Sequence, residues 1–136
     1  KVVYPAGELK YGPYITDVAS DSAVVSFVTK EPAPSGIAMR KAGTKEFNRF
    51  WSHSWYQIDP GKRVHRIDVD GLEPDTVYEY KIIYLERPEN RELSDNKMFR
   101  LRTAAKGFKP FKIFVTGDLQ YLDDKQCDIL NKYMYL

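Results

Sequence analysis

Asp118 is the residue in this chain best placed to do chemistry, because it follows Gly117 inside the run FKIFVTGDLQ, residues 111–120. Phe111, Ile113, Phe114 and Val115 predict a buried strand of the kind found in α/β sheets. A Gly-Asp pair at the carboxyl end of such a strand presents a carboxylate to the crevice where ligands collect. That hard oxygen donor suits a metal cation, and Gln120, two residues on, adds at most a carbonyl oxygen. The same pair is also a common turn. His53 and His65 are the chain's only two imidazoles, and both lie ahead of Asp118. His65 alternates with Ile67 and Val69 and reads as a packed strand residue, whereas His53, between Ser52 and Ser54, reads as a loop residue. Cys127 is the single cysteine, so no disulfide forms within the chain and the redox compartment is left open.

A second feature is aromatic. Phe47, Phe50, Trp51, Trp55 and Tyr56 fall within ten residues. They either finish the core and cover a sheet, the commoner fate of strand-forming aromatics, or present a surface to a carbohydrate, a partner subunit or a catalytic domain. Trp51, Trp55 and Tyr56 are the candidates for that surface.

The elements that must position these residues are short strands. Runs at 14–18, 22–29, 36–41, 63–69, 77–85 and 97–103, with the aromatic stretch 47–58, alternate apolar and polar side chains and are punctuated by Pro32, Pro34, Gly43, Gly61 and Gly71. Ala23, Val25 and Phe27 share one face; so do His65, Ile67 and Val69, and Tyr78, Tyr80, Ile82 and Tyr84. About seven strands predict an all-β domain, a fibronectin type III or immunoglobulin-like β-sandwich. LEPDTVY has the layout of a tyrosine corner: Tyr78 at the start of a strand bonds back to the backbone, with Leu72 and Pro74 shaping the loop. Residues 1–104 form this sandwich, 105–110 a linker, and 111–136 a strand followed by a helix with Asp123 and Asp124 in its first turn.

Composition narrows the function classes. The chain has 136 residues, room for one core. Lys and Arg number 21 against 19 Asp and Glu, which argues against general affinity for nucleic acid or an anionic membrane surface. No run approaches the roughly 20 apolar residues that cross a bilayer. The basic stretch Arg100, Arg102, Lys106, Lys109 and Lys112 reads as a solvated strand face and linker. The chain begins at Lys1 without an apolar leader, which is compatible with a leader removed upstream.

GPYITDV, AVVSFVT, GKRVHRIDVDGLEPDTVYEYKI and KMFRLRTA, followed by FKIFVTGDLQ, stand in an order and spacing that resembles a known family. The chain is similar to the N-terminal fibronectin-like domain of purple acid phosphatases, running into the start of their calcineurin-like metallophosphoesterase domain. The resemblance implies that 111–136 is the truncated β-α stub of that α/β domain and that Asp118 is one ligand of a dinuclear Fe, Zn or Mn site in the parent enzyme. Such metals lower the pKa of a bound water and clamp phosphate oxygens. Gln120 stands where the wider superfamily has His and the purple phosphatases typically have Gly, and Tyr121 does not correspond to their metal-binding tyrosine. With its histidines elsewhere, the 136-residue chain is expected to be inactive and to hold no metal by itself.

The resulting expectation is a non-catalytic accessory domain of a secreted or periplasmic metal-dependent phosphoesterase. It would pack beside its own catalytic domain and shape substrate access or dimerisation, and 111–136 would pair two chains. The alternative is a free-standing fibronectin-like adhesion module that binds carbohydrate or protein.

Overall fold

In the computed structural model, residues 8–52, 63–86 and 91–112 are described. The chain divides into two compact units, Lys1–Lys106 and Gly107–Leu136, and every described strand lies in the first. The strands are β1 (Leu9–Thr16), β2 (Ala23–Thr29), β3 (Ser35–Lys41), β4 (Asn48–Trp51), β5 (Val64–Val69), β6 (Val77–Glu86), β7 (Arg91–Leu93) and β8 (Phe99–Arg102). No helix occurs among the described residues.

Two antiparallel sheets result. The first orders β1-β2-β5; the second orders β4-β3-β6-β7, with β8 also paired to β6. β7 meets the far end of β6 through Tyr84 and Leu93, and β8 meets its near end through Tyr78 and Leu101, so the two short strands share one edge. The chain changes sheet after β2, where Pro32 and Pro34 cannot donate ladder hydrogen bonds. The fold is thus an all-β sandwich.

Alternation along the strands decides which side chains meet between the sheets. Ala23, Val25 and Phe27 of β2, with Ile67 and Val69 of β5, face Ile37 and Met39 of β3, Tyr78, Tyr80, Ile82 and Tyr84 of β6, and Phe99 and Leu101 of β8. His65 belongs to the same interior: it is buried, stacks on Phe27 with ring centres 5.0 Å apart, and places Nε2 3.3 Å from Thr29 Oγ1. Packing therefore accounts for this histidine.

The loop before β6 closes the sandwich. Tyr78 Oη accepts a hydrogen bond from Glu73 N–H at 2.8 Å, five residues upstream. Thr103 Oγ1 donates to Glu73 O at 2.6 Å and accepts from Thr76 N–H at 3.0 Å. Leu72 N–H reaches Asp21 O, and Ala104 N–H reaches Ala19 O, each at 2.9 Å. One tyrosine thus anchors a loop that ties the β1–β2 turn to the end of β8.

Tyr84, buried at the opposite end of β6, has its phenol pushed up to about 12, chiefly by burial and then by the carboxylates of Asp95 and Glu8. An unfolded tyrosine titrates near 10. Between these values the unfolded state releases a proton that the folded state keeps, so stability falls as pH rises through that window. The expected loss is roughly 2–3 kcal/mol by pH 12. Urea unfolding at pH 9 and 12 checks it, and Tyr84→Phe should flatten the difference.

Candidate recognition surfaces

The outward faces of the two sheets are the candidate sites, since the inward faces are spent on the core. On the five-stranded sheet, Gly36, Ala38 and Arg40 of β3 point outward, opposite Ile83, Lys81 and Glu79 of β6. Trp51 pairs with Gly36 and shares this side, whereas Phe50 pairs with Ile37 and turns inward against the core. The indole lies directly over Gly36. A Cβ at that position would collide with Phe50 O and sit 2.8 Å from Trp51 Cε3, which is why glycine is required. Ile83 is fully buried although it faces outward.

Charges fill the rest of that face. Phe47 lies between Arg40, with Cζ 4.8 Å from the ring centre, and Lys81, with Nζ 5.5 Å away. Glu79 accepts from Arg100 at 2.9 Å and from Arg40 at 3.0 Å. Those two guanidinium groups, Arg100 first, hold its carboxyl below the usual range. Its contribution to stability is therefore present above the unfolded carboxylate pKa and is lost as pH falls through the lowered folded value. Arg49 crosses to Glu92 at 2.6 Å. Arg102 pairs with Asp75 at 2.7 Å, so the strand part of the basic stretch is neutralised. Trp51, the described one of the three surface candidates Trp51, Trp55 and Tyr56, is half-buried in this closed mosaic.

Gly36→Ala should separate β4 from β3, because the methyl group meets backbone and an indole held by its own strand. A loss of about 1–3 kcal/mol is expected, the usual range for overpacking. Chemical denaturation checks it; an unchanged midpoint would show that the Trp51 approach is not tight.

The three-stranded sheet differs. β1 pairs Leu9 with Thr29, Tyr11 with Val28 and Tyr14 with Ser26, with register shifts on both sides of Tyr11. Three steps along β1 from Tyr11 to Tyr14 therefore match two steps along β2. Gly12, at φ +93°, makes the irregularity possible, and a Cβ there would meet Ser26 O at 3.1 Å. In a regular strand residues 11 and 14 would face opposite ways. Here both stand on the outer side, 55% and 51% exposed.

The first run expected from the sequence, 14–18, contains Tyr14 but leaves out Tyr11, whereas the strand spans Leu9–Thr16. Gly-Pro between apolar residues of a strand was the available signal of a bulge.

Among the described residues no group of three or more His, Cys, Asp or Glu side chains is placed to hold a metal. No helix among them is long and apolar enough to cross a membrane. Asp118, Gln120, Trp55, Tyr56, His53 and Cys127 lie outside the described residues. So does most of 111–136, and with it the expected stub, dinuclear metal ligand and dimer contact.

No family model matches the chain, and no curated protein does. Among solved structures it is similar to the sensor domain of the anti-sigma factor RsgI4 from Pseudobacteroides cellulosolvens. That match has 16% identity and a TM-score of 0.51, and covers 79% of this chain and 99% of that one. A solution structure of the same sensor domain matches at 12% identity and a TM-score of 0.45, covering 90% of this chain and 99% of that one. The first match overturns the expectation of an accessory domain of a metal-dependent phosphoesterase, and with it the phosphatase and hydrolase assignments. What the match shows is a fold similar to that of this sensor domain. The physical reason for the error is that the fragments carrying the resemblance are strands and a tyrosine corner, which any sandwich of this type can share.

Proposed function

We propose that this chain carries a recognition domain of a sensory or regulatory protein, a β-sandwich that binds a ligand and does no chemistry on it. The observation that carries the reading is the extent of the fold match, which takes in 99% of the anti-sigma factor sensor domain. The likeness is to a whole module, not to one sheet. The surface supports it as well, since two tyrosines are held out to solvent by an irregular strand. A ligand that binds only the folded domain shifts its equilibria by mass action, which is what a sensor has to report. A secreted or otherwise extracytoplasmic location fits this role.

A thermal-shift screen of the 136-residue chain against soluble glycans, peptides and small organic molecules tests the reading. A ligand present at 100 times its Kd should add about 2.7 kcal/mol of stability and raise Tm by several degrees. The reading fails if no ligand class moves Tm, or if the chain turns over a phosphomonoester in the presence of Fe, Zn or Mn.

A further inference from the structure

The geometry points to the outer face of the three-stranded sheet as the binding site for an uncharged glycan chain, with Tyr11 and Tyr14 as its stacking platform. This rests on the recognition reading above and names the ligand class and the residues. Three rows cross the face in register: Tyr11, Val28 and Val64; Tyr14, Ser26 and Arg66; Thr16, Val24 and Asp68. The first row is apolar and open, with exposed Tyr11 at one end and Val64, 62% exposed, at the other. The other two carry hydroxyls and a charge pair next to apolar groups. A sugar ring has the matching character, a face of C–H groups and an edge of hydroxyls.

Charge separates the possible occupants. Arg66 is the cation of the three rows, and it is engaged within the domain, 3.5 Å from Asp17 Oδ2 and 3.4 Å from Asp68 Oδ1. Lys10, on the neighbouring part of β1, turns its ammonium to the Tyr11 ring, 5.1 Å from the centre. Arg66 is thus already paired, and the charge of Lys10 by itself is less than a phosphate backbone or a strongly acidic partner calls for. Neutral hydrogen-bonding groups and exposed rings remain. Tyr11 and Tyr14 stand opposite residues two apart on β2, roughly 7 Å along the strand, a separation that lets neighbouring sugar units of one chain meet successive rings.

The bulge is what makes the site. Without the extra residue at Gly12-Pro13, Tyr11 and Tyr14 could not share a face, and bulges are a recurrent way of re-aiming a side chain. The companion sheet supplies the contrast in exposure: Trp51, seated on Gly36, and Phe47, between Arg40 and Lys81, are half-buried, whereas Tyr11 and Tyr14 are exposed. The tyrosine face is the one left open for a ligand.

Isothermal titration calorimetry of the full chain with soluble mixed-linkage β-glucan, xylan, galactomannan and α-glucan tests the assignment, together with light scattering of the free protein. The wild type should bind at least one of these. Tyr11→Ala and Tyr14→Ala should each weaken binding by about tenfold or more, while Tyr14→Phe, which keeps the ring, should retain binding within a few-fold. Both tyrosines are exposed, so circular dichroism and Tm should be unchanged and the loss cannot be ascribed to unfolding. The proposal is overturned by undiminished glycan binding in the Tyr11→Ala/Tyr14→Ala variant. It is equally overturned by a dimer that the same variant dissociates, or by binding confined to peptides or other non-glycan ligands. In that last case the recognition reading stands while the glycan site falls.

Discussion

Phe27→Ala is expected to cost about 3–5 kcal/mol, the range for deleting a buried aromatic ring. Phe27 is fully buried at the centre of β2, sits in register with His65 on β5, and stacks on that imidazole. Removing it opens a cavity and also strips one face of a polar ring whose position depends on packing. Leu should restore part of the loss, because it refills volume without the stacked geometry. Urea denaturation with a common m-value is the measurement. A loss below about 1 kcal/mol would mean that the two sheets do not share the interior described above.

The second large effect is expected at the closing loop. Tyr78→Phe removes the acceptor of Glu73 N–H, and Thr103→Val removes the donor to Glu73 O together with the acceptor of Thr76 N–H. Each leaves partly buried backbone groups without their partner, at about 1–3 kcal/mol. Because both act on the same residue, the double variant should depart from additivity. A combined loss of roughly 2–4 kcal/mol is expected, measured by thermal unfolding and closed as a double-mutant cycle. The loop ties together segments distant in sequence, so the loss should be global; fraying confined to β8 would contradict this account.

Much of the fold was legible because alternation and turn residues act locally. The faces that alternate along β2, β5, β6 and β8 in the sequence, such as Ala23, Val25 and Phe27 or Tyr78, Tyr80, Ile82 and Tyr84, are the ones that meet in the sandwich, and the corner at Tyr78 needs only a few neighbouring residues. β7, three residues long, is too short for periodicity to register. The stretch 47–58 was read as one aromatic segment, whereas its described strand is Asn48–Trp51. Outward residues that are nonetheless buried, such as Val24 and Ile83, depend on what covers them across the sheet, which alternation does not encode.

The candidate site was less legible, for two different reasons. Gly12 and Pro13 look like loop punctuation, and only the pairing with β2 shows that they insert an extra residue into a strand and bring two tyrosines to one side. The functional expectation failed differently. It attached a parent enzyme's chemistry to a set of strands, and a fold of this class hosts many unrelated functions.

The most direct test is a nitrogen-15 NMR titration of the 136-residue chain with a soluble neutral glycan. Shifts should be confined to one patch, the amides of Tyr11, Tyr14, Ser26, Val28 and Arg66, and should saturate at a single Kd. No shifts with any glycan, or shifts centred on Trp51 and the five-stranded sheet, would contradict the glycan site.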